Sequence, residues 1–117
     1  MDLNLMIRRI KELPAYPRAG MIATHLGIVR GHSLNGNAVK KMEVSFDRSI
    51  IDNIISETKQ IDGIIEVLVD FQEGVLEIGD EVMAVVVAGD TRAHVFPALM
   101  HAVDRMKSEA TKKREIY

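Results

Sequence analysis

The chain has no cysteine and no tryptophan. Without thiols there is no disulfide framework, zinc–thiolate site or thiol nucleophile. Any chemistry that needs a nucleophilic sulfur must have that sulfur delivered by a partner. Three Phe and two Tyr leave little aromatic surface on which bases could stack. Neither sign of charge dominates: 15 Lys and Arg stand against 17 Asp and Glu, a formal net charge of −2. The global basic footprint of a nucleic-acid binder is therefore missing. No apolar run reaches the roughly 18 residues of a membrane span. The first residues lack the basic start, apolar block and small-residue cleavage site of a signal peptide, so a cytoplasmic protein is expected. There are no repeats, low-complexity tracts or linkers, and 117 residues read as one domain over 1–117.

The most informative stretch is the last third, 74–115. Glu81-Val-Met-Ala-Val-Val-Val-Ala88 is apolar after its first residue and rich in β-branched side chains, as suits a strand covered on both faces in the middle of a sheet. Gly79-Asp80 before it signals a tight turn. Gly89-Asp90-Thr91 ends it and offers Asp90 or Thr91 as a helix N-cap. The helix that follows is expected to bury Phe96, Leu99, Met100, Val103 and Met106 on one face. Pro97 predicts a kinked first turn, or a regular helix starting nearer Phe96. At the far end, residues 104–117 hold five Lys and Arg against three Asp and Glu, and cations are favourable near a helix C-terminus in any case.

Upstream, Leu3, Met6, Ile7 and Ile10 recur at helical spacing, and Pro14 and Pro17 end that helix. Residues 20–30 read as a strand holding His25, a satisfied core or interface residue more readily than a ligand. Gly27 marks a bulge or close backbone approach. The strand ends at Arg30 and opens into the turn-rich loop 31–37, a usual place for a ligand-facing arginine. Met42, Val44 and Phe46 alternate with polar residues in a half-exposed strand expected to pair with the preceding one. A helix is expected from Asp47 or Ser49 to about Gln60, then a third strand after Gly63, with 72–81 as the connection to the apolar strand. This order of elements predicts a two-layer α+β fold, a mostly antiparallel sheet with helices packed on it.

Four histidines raise the question of a metal. His94 and His101 lie seven apart, roughly 10 Å along a helix, too far for one ion, and no metal site is expected. No acid/base carboxylate pair, phosphate-cradling glycine loop or serine-nucleophile motif is present. The cations remain. Arg30 and Arg92 suit a phosphate or carboxylate, which guanidinium binds bidentately. Lys107, among like charges, is the candidate to move protons or attack a carbonyl. Arg92 and Lys107 are separated by roughly 22 Å of helix. If both serve one anionic site, that site must be shared between two copies of the chain.

Several segments resemble the large, catalytic subunit of molybdopterin synthase, the MoaE family. They are Gly74-Val-Leu-Glu-Ile-Gly-Asp-Glu-Val82, Thr91-Arg92 followed by Phe96, Lys107 followed by Lys113-Arg114-Glu115, and Gly27-Ile-Val-Arg30 followed by His32. The resemblance spans roughly 18–115. It implies the hammerhead-type α/β fold of that family and transfer of sulfur to cyclic pyranopterin monophosphate (precursor Z), forming the dithiolene of molybdopterin. It implies as partner a ubiquitin-like small subunit of the MoaD type, ending in a Gly-Gly thiocarboxylate, and a homodimer that shares its active sites. No cofactor is implied. Lys107 matches the first active-site lysine and Lys113 the second, with Lys112 as the competing choice. Arg30 and His32 match the anion-binding strand end, and Arg92 an arginine contributed by the other subunit. The chain departs from the family pattern at Thr91, where histidine is usual, and ends at Tyr117, before a further segment of the pattern, so a divergent, C-terminally short member is expected. The alternative is a non-catalytic dimeric relative that binds an anionic ligand or a protein tail.

Overall fold

The computed structural model describes residues 1–117. The chain runs α1 (Leu3–Lys11), β1 (Met21–Ile28), β2 (Lys41–Phe46), α2 (Arg48–Lys59), β3 (Ile64–Phe71), β4 (Gly74–Glu77), β5 (Glu81–Gly89), α3 (Arg92–Arg105) and β6 (Thr111–Ile116). A 3-10 turn follows α1, and a π-helical turn, Met106–Ala110, joins α3 to β6. The strands form two antiparallel three-stranded sheets, β1-β5-β3 and β4-β2-β6. No helix is long and apolar enough to cross a membrane.

β5 is the centre of the first sheet, as its unbroken apolar run predicts. Its two faces meet different helices. Met83, Val85 and Val87 pack with Ile51 and Ile54 of α2 and with Val95, Ala98 and Ala102 of α3. Ala84, Val86 and Ala88 face the other way, onto Met6 and Ile10 of α1. The alternation is the period-two geometry of a strand, and covering both faces removes the polar positions a half-exposed strand would keep. A third cluster, Val29, Val44 and Leu76, joins the two sheets.

Helix ends follow local chemistry. Asp2 caps α1 by accepting from Leu5 N–H at 3.0 Å. Asp47 caps α2 by accepting from the N–H groups of Ser49 at 3.0 Å and Ile50 at 3.2 Å. These bonds satisfy donors that have no partner inside the helix. The Ser49 hydroxyl, the Ile50 amide and more weakly the Lys112 charge hold the Asp47 carboxyl below the usual range. Thr91 occupies the N-cap of α3 without a side-chain bond; Asp90 instead pairs with His94 Nδ1 at 2.7 Å. That bond from the imidazole is the main reason the Asp90 carboxyl titrates low.

Five expectations are corrected. β2 pairs with β4 and β6, not with β1. The connection read over 72–81 contains β4, whose four residues are too few to show a period. α3 starts at Arg92, not nearer Phe96, and contains Pro97. Val103 and Met106 are buried and Leu99 packs against the core as expected, but Val95, Ala98 and Ala102 complete the buried face, whereas Phe96 and Met100 are 52% and 65% exposed. Ala98 and Ala102 pack into the same core with little apolar bulk to mark them in the sequence. Finally, Lys112, Lys113 and Arg114 lie on β6, not at the end of a helix.

Candidate functional site

The seam between the two sheets holds a cavity of about 540 Å³. One wall is the end of β1 and the segment beyond it, from His25 to Arg30, with His32, Leu34 and Val39. β5 contributes Val82 and Met83, the π-helical turn contributes Lys107, and β2 and β6 close the other side. Pairing of these last two strands sets which side chains enter. Met42, Val44 and Phe46 stand opposite Glu115, Lys113 and Thr111. All six line the cavity, as directly opposed residues on one face of an antiparallel pair should. The intervening Lys112 and Arg114 point to the other face, where Arg114 Nη2 meets Glu43 at 3.0 Å and Lys112 borders a separate depression with Glu43 and Glu73. Strand alternation therefore separates the two candidate lysines: Lys113 enters the cavity with Lys107, and Lys112 does not. Lys113 also borders the outer depression.

Arg30 is aimed by the backbone before it. Val29 N–H donates to Asp80 C=O, and Gly79 N–H donates to Val29 C=O, both at 2.9 Å. These bonds pin β1 to the Gly79-Asp80 turn. The loop beyond is ordered by its own bonds: Ser33 N–H to Asn37 C=O at 2.8 Å, Val39 N–H to Gly31 C=O at 2.9 Å, and a bridge between His32 and Ala38. The Ser33 hydroxyl also meets the Asn35 side chain. His32 is thus held on the cavity side of a small hairpin, with Leu34 almost fully exposed at its tip.

Lys107 owes its place to the π-helical turn. Thr111 Oγ1 donates to Met106 C=O at 2.7 Å, and Asp47 N–H donates to Ala110 C=O at 2.8 Å. The chain leaves the helix there and enters β6. Such turns are frequent at functional sites. On the outer side Arg105 bonds Glu109 at 2.8 Å and also contacts Glu57. That network keeps the guanidinium protonated and the Glu109 carboxyl low, and it ties α3 to α2.

The cavity carries Arg30, Lys107 and Lys113 against one carboxylate, Glu115, with His25 and His32 as the remaining titratable groups. Three fixed cations around a partly apolar concavity suit an anionic ligand. His25 is the lining residue that sequence reading placed elsewhere. Its Nε2 is buried and has no hydrogen-bond partner. Burial first, and the Lys107 charge second, push its pKa below the ordinary 6.5. Two residues on, the register slips between Gly27 and Ile28, the bulge that Gly27 predicts, but nothing in the sequence marks the open nitrogen of His25. Arg92 does not line this cavity. It is the first residue of α3, at the opposite end of that helix from Lys107. No group of three or more His, Asp or Glu converges as a metal site would require.

Comparison with known proteins places the chain in a family. A probable molybdopterin synthase from Haloferax volcanii is 30% identical over 115 residues, covering 93% of this chain and 44% of that protein. A molybdopterin synthase catalytic subunit from Ralstonia nicotianae is 31% identical over 98 residues, covering 80% of this chain and 55% of that one. The chain thus spans about half the length of the relatives it matches. A chain in the protein–protein complex of subunits 1 and 2 of molybdopterin-converting factor from Helicobacter pylori superposes with a TM-score of 0.72 at 16% identity, covering 100% of this chain and 84% of that one, a likeness of fold. The profile of the MoaE protein family matches residues 2–109, and with nearly the whole domain inside that match, this chain belongs to the MoaE family.

Proposed function

We propose that the chain acts as the catalytic subunit of a molybdopterin synthase. In this reading it transfers sulfur, in the cytoplasm, from the C-terminal thiocarboxylate of a ubiquitin-like small subunit to cyclic pyranopterin monophosphate. The observation that carries the reading is the convergence of Lys107 and Lys113, from two different elements, on one cavity that also receives Arg30 and His32. About 540 Å³ lies within the range of small-molecule sites. In each round a bond from sulfur to a side-chain carbon of the pterin replaces a carbon–oxygen bond there, once opening the cyclic phosphate to a monoester and once releasing water, and hydrolysis of the bond between sulfur and the tail's acyl carbon leaves a carboxylate on the tail. Two rounds give the dithiolene. The chain's own part is to hold anions and move protons: Arg30 and His32 bind the phosphate, and Lys107 and Lys113 face the reacting carbonyl and sulfur.

The absence of cysteine from the chain agrees with sulfur arriving on a partner. Arg92, one helix length from Lys107, serves in this reading the cavity of a second copy, so the working form is a homodimer with shared sites. The test is reconstitution with a thiocarboxylated small subunit and the cyclic pyranopterin. Dithiolene product is expected, with a loss of at least about a hundredfold in Lys107→Ala. No product from the wild-type chain would refute the reading.

A further inference from the structure

His25 has no part in the roles assigned above, yet it lines the same cavity as Lys107, Arg30 and Lys113. It sits in β1 opposite Val85 of β5, on a strand fixed on its inner edge by the central strand of the sheet. The ring is set over Gly27, where an added Cβ would stand 3.5 Å from Nε2. No protein group reaches that nitrogen. A buried polar atom without a partner costs free energy, and the large majority in folded proteins find one. The imidazole lines a ligand-sized cavity while its Nε2, sealed from solvent, lacks a protein partner, so a turn of the ring toward a bound ligand would supply the missing contact.

We propose that His25 is a ligand-contacting residue of this cavity, its Nε2 hydrogen-bonding the anionic part of the bound pterin alongside Arg30 and Lys107. The proposal rests on the functional reading above and adds to it a residue that chooses among ligands. The charged and titratable groups facing the ring come from three elements: Lys107 from the π-helical turn, Arg30 and His32 from the segment after β1, and Lys113 and Glu115 from β6. The residues that β2 and β5 present to the cavity are apolar. In the free protein, burial first and the nearby Lys107 charge second lower the pKa of the imidazole. An anion entering between these cations offsets the second effect and gives Nε2 an acceptor. Binding then draws a proton onto His25, and affinity weakens as pH rises from below the ordinary imidazole value of about 6.5.

The experiment is a titration with cyclic pyranopterin monophosphate from about pH 5.5 to about pH 8, spanning that value. It uses the wild-type chain, His25→Phe and His25→Gln, with the His25 ring signals followed by NMR in the wild type. His25→Phe is expected to bind at least about tenfold more weakly, the scale of one hydrogen bond to a charged group. His25→Gln, whose amide nitrogen can occupy the place of Nε2, is expected to recover most of that affinity and to lose the pH slope. The His25 ring signals are expected to move on binding. Equal binding by His25→Phe at every pH, or ring signals that do not move in a wild-type complex, overturns the role of His25 and leaves the functional reading standing. Failure of the wild-type chain to bind the pterin overturns both. The NMR arm needs no variant, so it decides the matter even if His25→Phe folds poorly.

Discussion

Three glycine-to-alanine changes separate two physical costs that are usually mixed. At Gly36 the backbone is left-handed, φ +89°, and an added Cβ meets nothing within 4 Å. Only conformation opposes alanine there, and the cost is about 1 kcal/mol. At Gly20 φ is ordinary, but the Cβ would stand 2.0 Å from the backbone oxygen of Asp90, a full ångström inside the 3.0 Å that real Cβ atoms respect. Neither side can give way cheaply, because Gly20 N–H donates to Gly89 C=O at 2.8 Å and Asp90 N–H donates to Gly63 C=O at 2.9 Å. These bonds join the ends of β1, β5 and β3 just where α3 begins. Overpacking of this kind costs about 3 kcal/mol, less a few tenths returned by the stiffer unfolded chain. Gly63 combines both effects, with φ +82° and a Cβ 2.2 Å from His94 Nδ1 and 2.3 Å from Asp90 Oδ1. Those atoms belong to exposed side chains that can swing aside, so Gly63→Ala should fall between the other two and abolish the Asp90–His94 bond. Urea unfolding with a shared slope measures the order. Melting should fall by roughly 10 °C in Gly20→Ala and by about 3–5 °C in Gly36→Ala. If Gly20→Ala unfolds at the same midpoint as Gly36→Ala, the three-strand junction is looser than the distances require and the steric argument fails.

Strand alternation predicts a sharp contrast between neighbours: Lys113→Met should weaken binding of the cyclic pyranopterin by about ten- to a hundredfold, while Lys112→Met should change it less than about twofold. Equal losses in a binding titration would mean that β6 does not hold its register against β2. The depressed pKa of His25 also makes stability depend on pH. The unfolded chain takes up the proton first, so stability should fall as pH drops through about 6.5 and level off below the folded value. Urea midpoints across that range should show a smaller slope in His25→Phe, and an unchanged slope would assign the effect to another group.

The parts of the fold that were legible in the sequence are those where one physical signal dominates. β5 announced itself because burial on both faces leaves only apolar residues, and α1 and α2 because their stripes and caps agree. Gly27 marked a bulge, and Arg30 a strand end opening into the cavity. What was missed depends on pairing and size, which periodicity does not encode. β2 alternates in the same way whichever strand it joins. The buried face of α3 was partly misread because Ala98 and Ala102 carry less apolar bulk than Phe96 and Met100. His25 went unassigned because a strand histidine has the same sequence signature whether its nitrogen is satisfied or left open.

The deepest misreading, a helix continued into the basic tail, also shows how the site is made. On an uninterrupted helix, successive residues turn by about 100°. Residue 113 would then lie roughly 120° around the axis from Lys107, while residue 114 would return to nearly the same face. A continuous helix would therefore pair Lys107 with Arg114. The π-helical turn replaces that period with the period two of a strand, and Thr111, Lys113 and Glu115 face the cavity together. The switch is secured by the bond from Thr111 Oγ1 to Met106 C=O at 2.7 Å. Thr111→Val keeps the shape and the β propensity but removes the bond, and should cost about 1 kcal/mol in stability. If the bond matters for placing the lysine, pterin affinity should fall further than in a variant of equal stability loss at Gly36, and the amides of β6 should exchange faster than those of β5. Affinity that tracks stability alone would show that β2 pairing is enough to hold Lys113 in the cavity.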